Sequence, residues 1–178
     1  MQVQIVKGVC CIREASASDL SQLVPLHIAS FNATYPDYNP KPGYELRERQ
    51  WKLLFGQKPG TWFCYVVQPP KGPIAGFVTG HDFHDPELPY KGQLDKIHIL
   101  KPYQRLGLGS QLVLQVVTCF LQQGINSMIL FADPSNPAIR FYDGMNGERL
   151  LNKDQAFRGA YGWKNLHELA TFLRQRNQ

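Results

Sequence analysis

Between Gly107 and Gln123 the apolar residues Leu112, Val113, Val116, Val117 and Phe120 recur in steps of three and four. That spacing predicts a helix with one buried face, stopped by Gly124. Upstream, Val9 to Arg13 reads as a short strand, after which Ser16 and Asp19 have the spacing of an N-cap box opening an amphipathic stretch from Leu20 to Phe31. Pro25 inside that stretch predicts a bend or a later start. Pro36 to Gly43, with prolines at 36, 40 and 42, is loop material, and Tyr44 to Phe55 reads as a second helix. Thr61 to Val67 and Ile74 to Phe83 are rich in aromatic and β-branched residues. The turn-forming run from Gln68 to Pro73 joins them into a hairpin.

Pro86 to Gly92 is a further loop, and Gln93 to Leu100 a strand that precedes the helix from Gly107. Ser127 to Ala132 is the next strand, Asn136 to Met145 a short helix, and Glu148 to Leu166 two strands joined near Asp154. A closing helix starts at Asn165, with Glu168 three residues on. The predicted order is βααβββαβαββ with a helical tail. This is an α/β layout whose segment from Gln93 to Ala132 forms a right-handed strand–helix–strand crossover.

With 178 residues, 43% of them hydrophobic, the chain can build one sizeable core, so a single domain over residues 1–178 is expected. The four cysteines include the adjacent pair Cys10 and Cys11 and follow no zinc or disulfide spacing, which fits a reducing cytoplasm. No apolar run approaches the roughly 20 residues of a membrane span. The net charge of +5 comes from scattered Lys and Arg with no basic block. It points to pockets for an anionic cofactor rather than to nucleic acid.

The segment from Lys101 to Ser110 carries the chemistry. A strand runs through a turn with glycines at 107 and 109 straight into a helix, where unpaired amides and the helix dipole attract phosphate. A P-loop is excluded, because Ser110 and Gln111 follow Gly109 where Lys and Ser or Thr are required. A dinucleotide fingerprint lacks its third glycine, since Leu112 stands there, although Asp133 could serve as a ribose ligand. A tight turn needed only for packing is the remaining alternative.

Gln104-x-x-Gly107-x-Gly109 resembles the acetyl-CoA signature of the GNAT family of N-acetyltransferases, Gln/Arg-x-x-Gly-x-Gly/Ala. Asn136-Pro-Ala-Ile-Arg-Phe-Tyr142 resembles that family's Asn-x-x-Ala-x-x-Phe-Tyr segment, and Ile12 to Tyr35 its first strand and helix. Tyr161-Gly-Trp163 is similar to a common late strand of these enzymes. The resemblance implies a GNAT-type mixed, mostly antiparallel sheet with helices on both faces and a splayed central strand pair.

It further implies that acetyl-CoA is the acyl donor. Its pyrophosphate would be held by the amides of Arg105, Leu106, Gly107, Leu108, Gly109 and Ser110, and its pantetheine arm by the backbone of Ile97, His98 and Ile99. Asn136 would contact the cofactor. Tyr142 would protonate the departing thiolate, a task open to a phenol at neutral pH; the alternative for Tyr142 is a helix aromatic covering the core. Where many members carry a basic glutamate this chain has Gln93 and Phe131, which leaves Asp95 and His98 as candidate bases. Asn146 replaces a usual glycine after the short helix, a change asparagine tolerates.

The acceptor implied is a small-molecule or peptide amine. Tyr35, Trp51 and His81 are its candidate contacts, and a homodimer is left open. The cluster His81, Asp82 and His84 is too small for a zinc site, so no metal is expected. Two rival functions are a non-catalytic acyl-CoA-binding module, favoured by the missing glutamates, and a basic nucleic-acid adaptor.

Overall fold

The polar–apolar alternation of Gln2 to Ile5 forms a strand once a partner edge is present. It is β1 (Gln2–Ile5), paired antiparallel with β2 (Gly8–Glu14) in the register Gln2↔Cys11 to Ile5↔Gly8. The sequence had predicted only the second of these strands. A four-residue strand has too little pattern of its own and is fixed by its pairing. The structure, a computed structural model, describes residues 2–5, 8–58 and 60–176.

After β2 come α1 (Leu20–Thr34), α2 (Tyr44–Phe55), β3 (Trp62–Gln68), β4 (Gly76–Asp82), β5 (Gly92–Ile99) and α3 (Leu108–Gln122). The chain closes with β6 (Met128–Phe131), α4 (Ile139–Asp143), β7 (Glu148–Leu151), β8 (Phe157–Trp163) and α5 (Leu166–Arg176). Its contacts divide into two compact units, one of residues up to Thr79 with Lys96–Leu112, the other of Gly80–Asp95 with the chain from Val113 on. β4, β5 and α3 each run from one unit into the other.

In the first unit β2 pairs antiparallel with β3, from Cys11↔Gln68 to Glu14↔Tyr65. The start of α1 is pinned to this sheet. The Ser16 N–H donates to the Asp19 carboxylate at 2.9 Å, and Arg13 of β2 holds the same carboxylate through two bonds of 2.8 Å. The predicted box is therefore made by its acidic half, and the Arg13 guanidinium holds the Asp19 carboxyl below its ordinary range. Pro25 lies inside α1, which continues past it to Thr34. Leu23, Val24, Leu26, Trp51, Cys64, Val66, Ile74 and Phe77 form the core of this unit. All four cysteines are free thiols.

In the second unit β5 pairs parallel with β6 through Gly92↔Met128 and Gln93↔Ile129, near the start of a strand that runs on to Ile99. β6 pairs antiparallel with β8, and β8 with β7, which shifts register between Leu150 and Leu151. The sheet is thus mixed and mostly antiparallel, as expected. Gly92 is required by packing: a Cβ there would lie 2.7 Å from the Phe120 ring of α3. The short helix is shorter than the sequence predicts. Asp133 Oδ1 accepts the Ser135 N–H and Asn136 Oδ1 the Ala138 N–H, both at 2.8 Å, and these side-chain turns replace the first helical turn. Asn146 adopts a left-handed φ of 56°, as its replacement of glycine requires. Asn165 accepts the N–H groups of His167 and Glu168 and opens α5.

Candidate active site

The loop after β5 is shaped by its backbone rather than by packing. Arg105 (φ 62°) and Gly107 (φ 79°) are both left-handed, and a Cβ on Gly107 would meet nothing closer than Gln111 Nε2 at 3.9 Å. Such alternation turns successive N–H groups toward one side and forms a concavity for an anion. The Gln104 side chain donates to the Ile99 carbonyl at 2.9 Å and ties the loop to the end of β5. Gln111 N–H donates to the Gly107 carbonyl at 3.2 Å, so the first helical turn opens at Leu108, where the N–H groups have no acceptor inside the helix. Leu108 and Ser110 are buried, whereas Arg105, Leu106 and Gly107 are exposed. The buried pair anchors the helix while the glycine turn faces outward. A turn made for packing alone would have the glycine pressed against a neighbour, as Gly92 is.

Ile97, His98 and Ile99 are half-buried on β5. Beside them, a Cβ on Gly76 of β4 would lie 2.9 Å from the His98 carbonyl, so glycine lets the two backbones approach. The His98 ring stacks on Phe77 at 5.1 Å and lies 4.9 Å from the His27 ring of α1. Ser30 Oγ is 3.0 Å from His98 Nδ1 and donates to the His27 carbonyl at 3.2 Å. Burial, followed by the positive charges of His98, Arg47 and Lys96, depresses the His27 pKa to about 2 and keeps its ring neutral.

Of the residues expected to meet the acceptor, Tyr35 is half-buried at the end of α1 with its ring 5.0 Å from Phe31. Trp51 is 1% exposed and packs against Phe77, His27 and Phe55 in the core of the first unit. Its size and apolar surface account for that placement. His27 and Ser30, which no motif marks, stand beside the candidate base instead. Their only signal in the sequence is a polar residue on the apolar side of a helix.

In the second unit His81 is half-buried, with Nδ1 2.7 Å from the Asp82 carbonyl. Tyr142 is 5% exposed in α4, its ring 5.5 Å from both Phe141 and Tyr161. The Tyr161 hydroxyl donates to Asp143 at 2.7 Å, and Arg149 grips the same carboxylate through bonds of 2.9 and 2.8 Å. The helix that carries Tyr142 is thereby fixed to β7 and β8. Phe131, in the place of one family glutamate, is half-exposed against Phe83. Among the described residues no group of three His, Cys, Asp or Glu is placed to hold a metal ion.

A model of the acetyltransferase (GNAT) family matches residues 22–146, from α1 through the glycine loop to the segment after Tyr142. The chain belongs to the GNAT acetyltransferase family. A relative described as an uncharacterized N-acetyltransferase, YuaI of Bacillus subtilis strain 168, is 29% identical over 175 residues, 91% of this chain and 97% of that protein. Two solved structures share the fold at a TM-score of 0.69 each. One is the PaiA N-acetyltransferase of Thermoplasma acidophilum in complex with coenzyme A, with 17% identity over 86% of this chain and 97% of that one. The other is a GNAT acetyltransferase of Staphylococcus aureus Mu50, with 16% identity over 88% and 99%. The protein is an N-acetyltransferase that takes its acyl group from acetyl-CoA, and the alternative of a binding module without chemistry is set aside. Among the described residues no helix is long and apolar enough to cross a membrane.

Proposed function

We propose that this GNAT enzyme works by direct attack, an amine and acetyl-CoA bound together in one ternary complex, with residues 1–178 acting as one domain in the cytoplasm. The acceptor is a small-molecule or peptide amine. The amides from Arg105 to Ser110 take the pyrophosphate, and the backbone of Ile97, His98 and Ile99 takes the pantetheine arm. Asn136 contacts the cofactor. A backbone N–H near Ile99 steadies the tetrahedral oxyanion, and Tyr142 gives its phenol proton to the sulfur as the C–S bond breaks. Holding the two reactants in line contributes most of the rate. Tyr35 and His81 remain the candidates for contact with the acceptor.

The observation that carries these roles is the loop itself. Two left-handed residues, one a glycine that packing does not demand, precede the exposed start of a helix on a strand end tied down by Gln104. The experiment is release of free thiol from acetyl-CoA against a panel of polyamines, aminoglycosides, amino acids and peptide N-termini. Thiol release that depends on one amine class is expected, with both substrates needed before any product leaves. Ping-pong kinetics, or an acetylated protein formed without acceptor, would refute direct attack.

A further inference from the structure

Among the described residues only two arginines, Arg13 and Arg47, are half-buried; the others are exposed. Partial burial strips water from a charge that arginine does not shed, so each calls for a counter-ion. Arg13 has one, since Asp19 accepts two of its N–H groups at 2.8 Å. Arg47 has no carboxylate among the described residues. Its Nη1 donates at 2.9 Å to Gln50 Oε1, a neutral acceptor, and its Nε is buried with no hydrogen-bond partner among the described residues. Glu48, the acid next to it on α2, is paired with Lys52 at 3.0 Å. Burial pushes the Arg47 pKa below the ordinary arginine range, and Tyr38 alone acts against that fall.

The guanidinium is nevertheless held in place. Its Cζ lies 4.9 Å over the Phe31 ring of α1, and that ring also meets Tyr35 at 5.0 Å and Tyr38 at 5.2 Å. Tyr38 is 54% exposed, so this aromatic platform reaches solvent. One helical turn away on the same two helices, His27 and Trp51 meet with ring centres 6.0 Å apart, and the His27 ring lies 4.9 Å from that of His98 on β5. The seam between α1 and α2 thus leads from the strand proposed to hold the pantetheine arm to a fixed cation that the protein leaves uncompensated.

We propose that Arg47 is a specificity-determining residue of the acceptor site, and that the acceptor is an amine that also carries a carboxylate, an amino acid or a peptide, held by that group on the guanidinium.

A guanidinium matches a carboxylate in charge and in plane, and an anion there would supply the counter-ion that burial demands. The same charge repels a second ammonium, so polyamines and aminoglycosides, whose remaining amines are cations, are disfavoured.

This proposal rests on the reading that an amine acceptor binds beside Tyr35, and wild-type thiol release with any amine tests transfer by itself. Its own test is kcat/KM for amino acids beside their amides, and for dipeptides beside their C-terminal amides, in wild type, Arg47→Gln and Arg47→Lys. The carboxylate should be preferred about 10- to 100-fold in wild type, the preference should disappear in Arg47→Gln through a raised KM for the carboxylate, and Arg47→Lys should keep part of it. The amino-acid and dipeptide arms distinguish the two sources of the carboxylate. Lost packing alone would lower both members of a pair alike and leave their ratio unchanged. Titration of N-acetylated amino acids and their amides into the CoA-loaded protein reads the same preference without turnover, so it decides the matter even where the transfer reading fails. No carboxylate preference in wild type, a preference kept in Arg47→Gln, or faster turnover of polyamines than of carboxylate-bearing amines would overturn the assignment.

Discussion

A neutral histidine in a core makes stability depend on pH in one direction. His27 is 3% exposed, and among the described residues its Nδ1 has no hydrogen-bond partner. Its folded pKa lies near 2, depressed by burial first and by neighbouring positive charge second. The unfolded chain, with an ordinary pKa near 6.5, binds the proton long before the folded one does. The contribution is therefore fully present above that pKa and is lost as pH falls toward the folded value. Between pH 7 and pH 5 this one group lowers stability by about 2 kcal/mol, and the figure holds for any folded pKa below about 4. The melting temperature should fall by about 4–8 °C over that interval from this cause. Carboxylates titrate too, so the assay is a comparison: urea unfolding of wild type and His27→Leu at pH 5, 6, 7 and 8. The stability difference between them should shift by about 2 kcal/mol in favour of the leucine variant as pH drops from 7 to 5. Parallel pH curves would show that His27 is not held neutral and refute the reasoning.

Acetyl-CoA at 100 times its Kd should raise the melting temperature by about 5–11 °C, and Gly107→Val should abolish that shift. The variant itself should fold with a loss of only about 1–2 kcal/mol for the left-handed φ, as no atom crowds the new side chain; normal binding would mean that the loop is a packing turn. Gly159→Ala should cost about 2–5 kcal/mol, read by thermal unfolding, because its φ of 91° disfavours any side chain and the Cβ would fall on the Ala132 carbonyl. Tyr142→Phe keeps the ring packed against Tyr161 and should lower kcat by about 10²–10⁴ with little change in acetyl-CoA affinity; unchanged turnover would remove its role as the acid.

Elements with a local cause were legible. α2 begins at Tyr44 and ends at Phe55 as read from the sequence, because loop prolines precede it and glycine follows it. α3 starts one residue later than predicted and ends one earlier. α1 extends to Thr34, three residues beyond the predicted end, with Pro25 inside it. Misreadings arose where a side chain or a distant strand decided the outcome. Asp133 and Asn136 draw backbone N–H groups into turns of their own, so a stretch with helical spacing yields a helix of only five residues. β1 has no local signal strong enough to stand alone and exists through its pairing with β2.

The same distinction separates the two halves of the chemistry. A phosphate cradle is made of consecutive residues, so glycine spacing and a following helix suffice to suggest it, and Arg105 and Gly107 then take the left-handed backbone that such a cradle uses. A general base is made of residues that meet only in the folded chain. Ser30 and His98 are 68 positions apart, yet Ser30 Oγ lies 3.0 Å from His98 Nδ1 in the folded chain. Trp51 makes the point from the other side, since an aromatic chosen for its type is set by packing against Phe77 and His27 to serve the core. Residue type therefore names which groups can do acid–base chemistry, and the folded surroundings select among them. That is why the order Asp95 or His98, open in the sequence, depends on contacts such as the 3.0 Å approach of Ser30 Oγ to His98 Nδ1, which no spacing along the chain foretells.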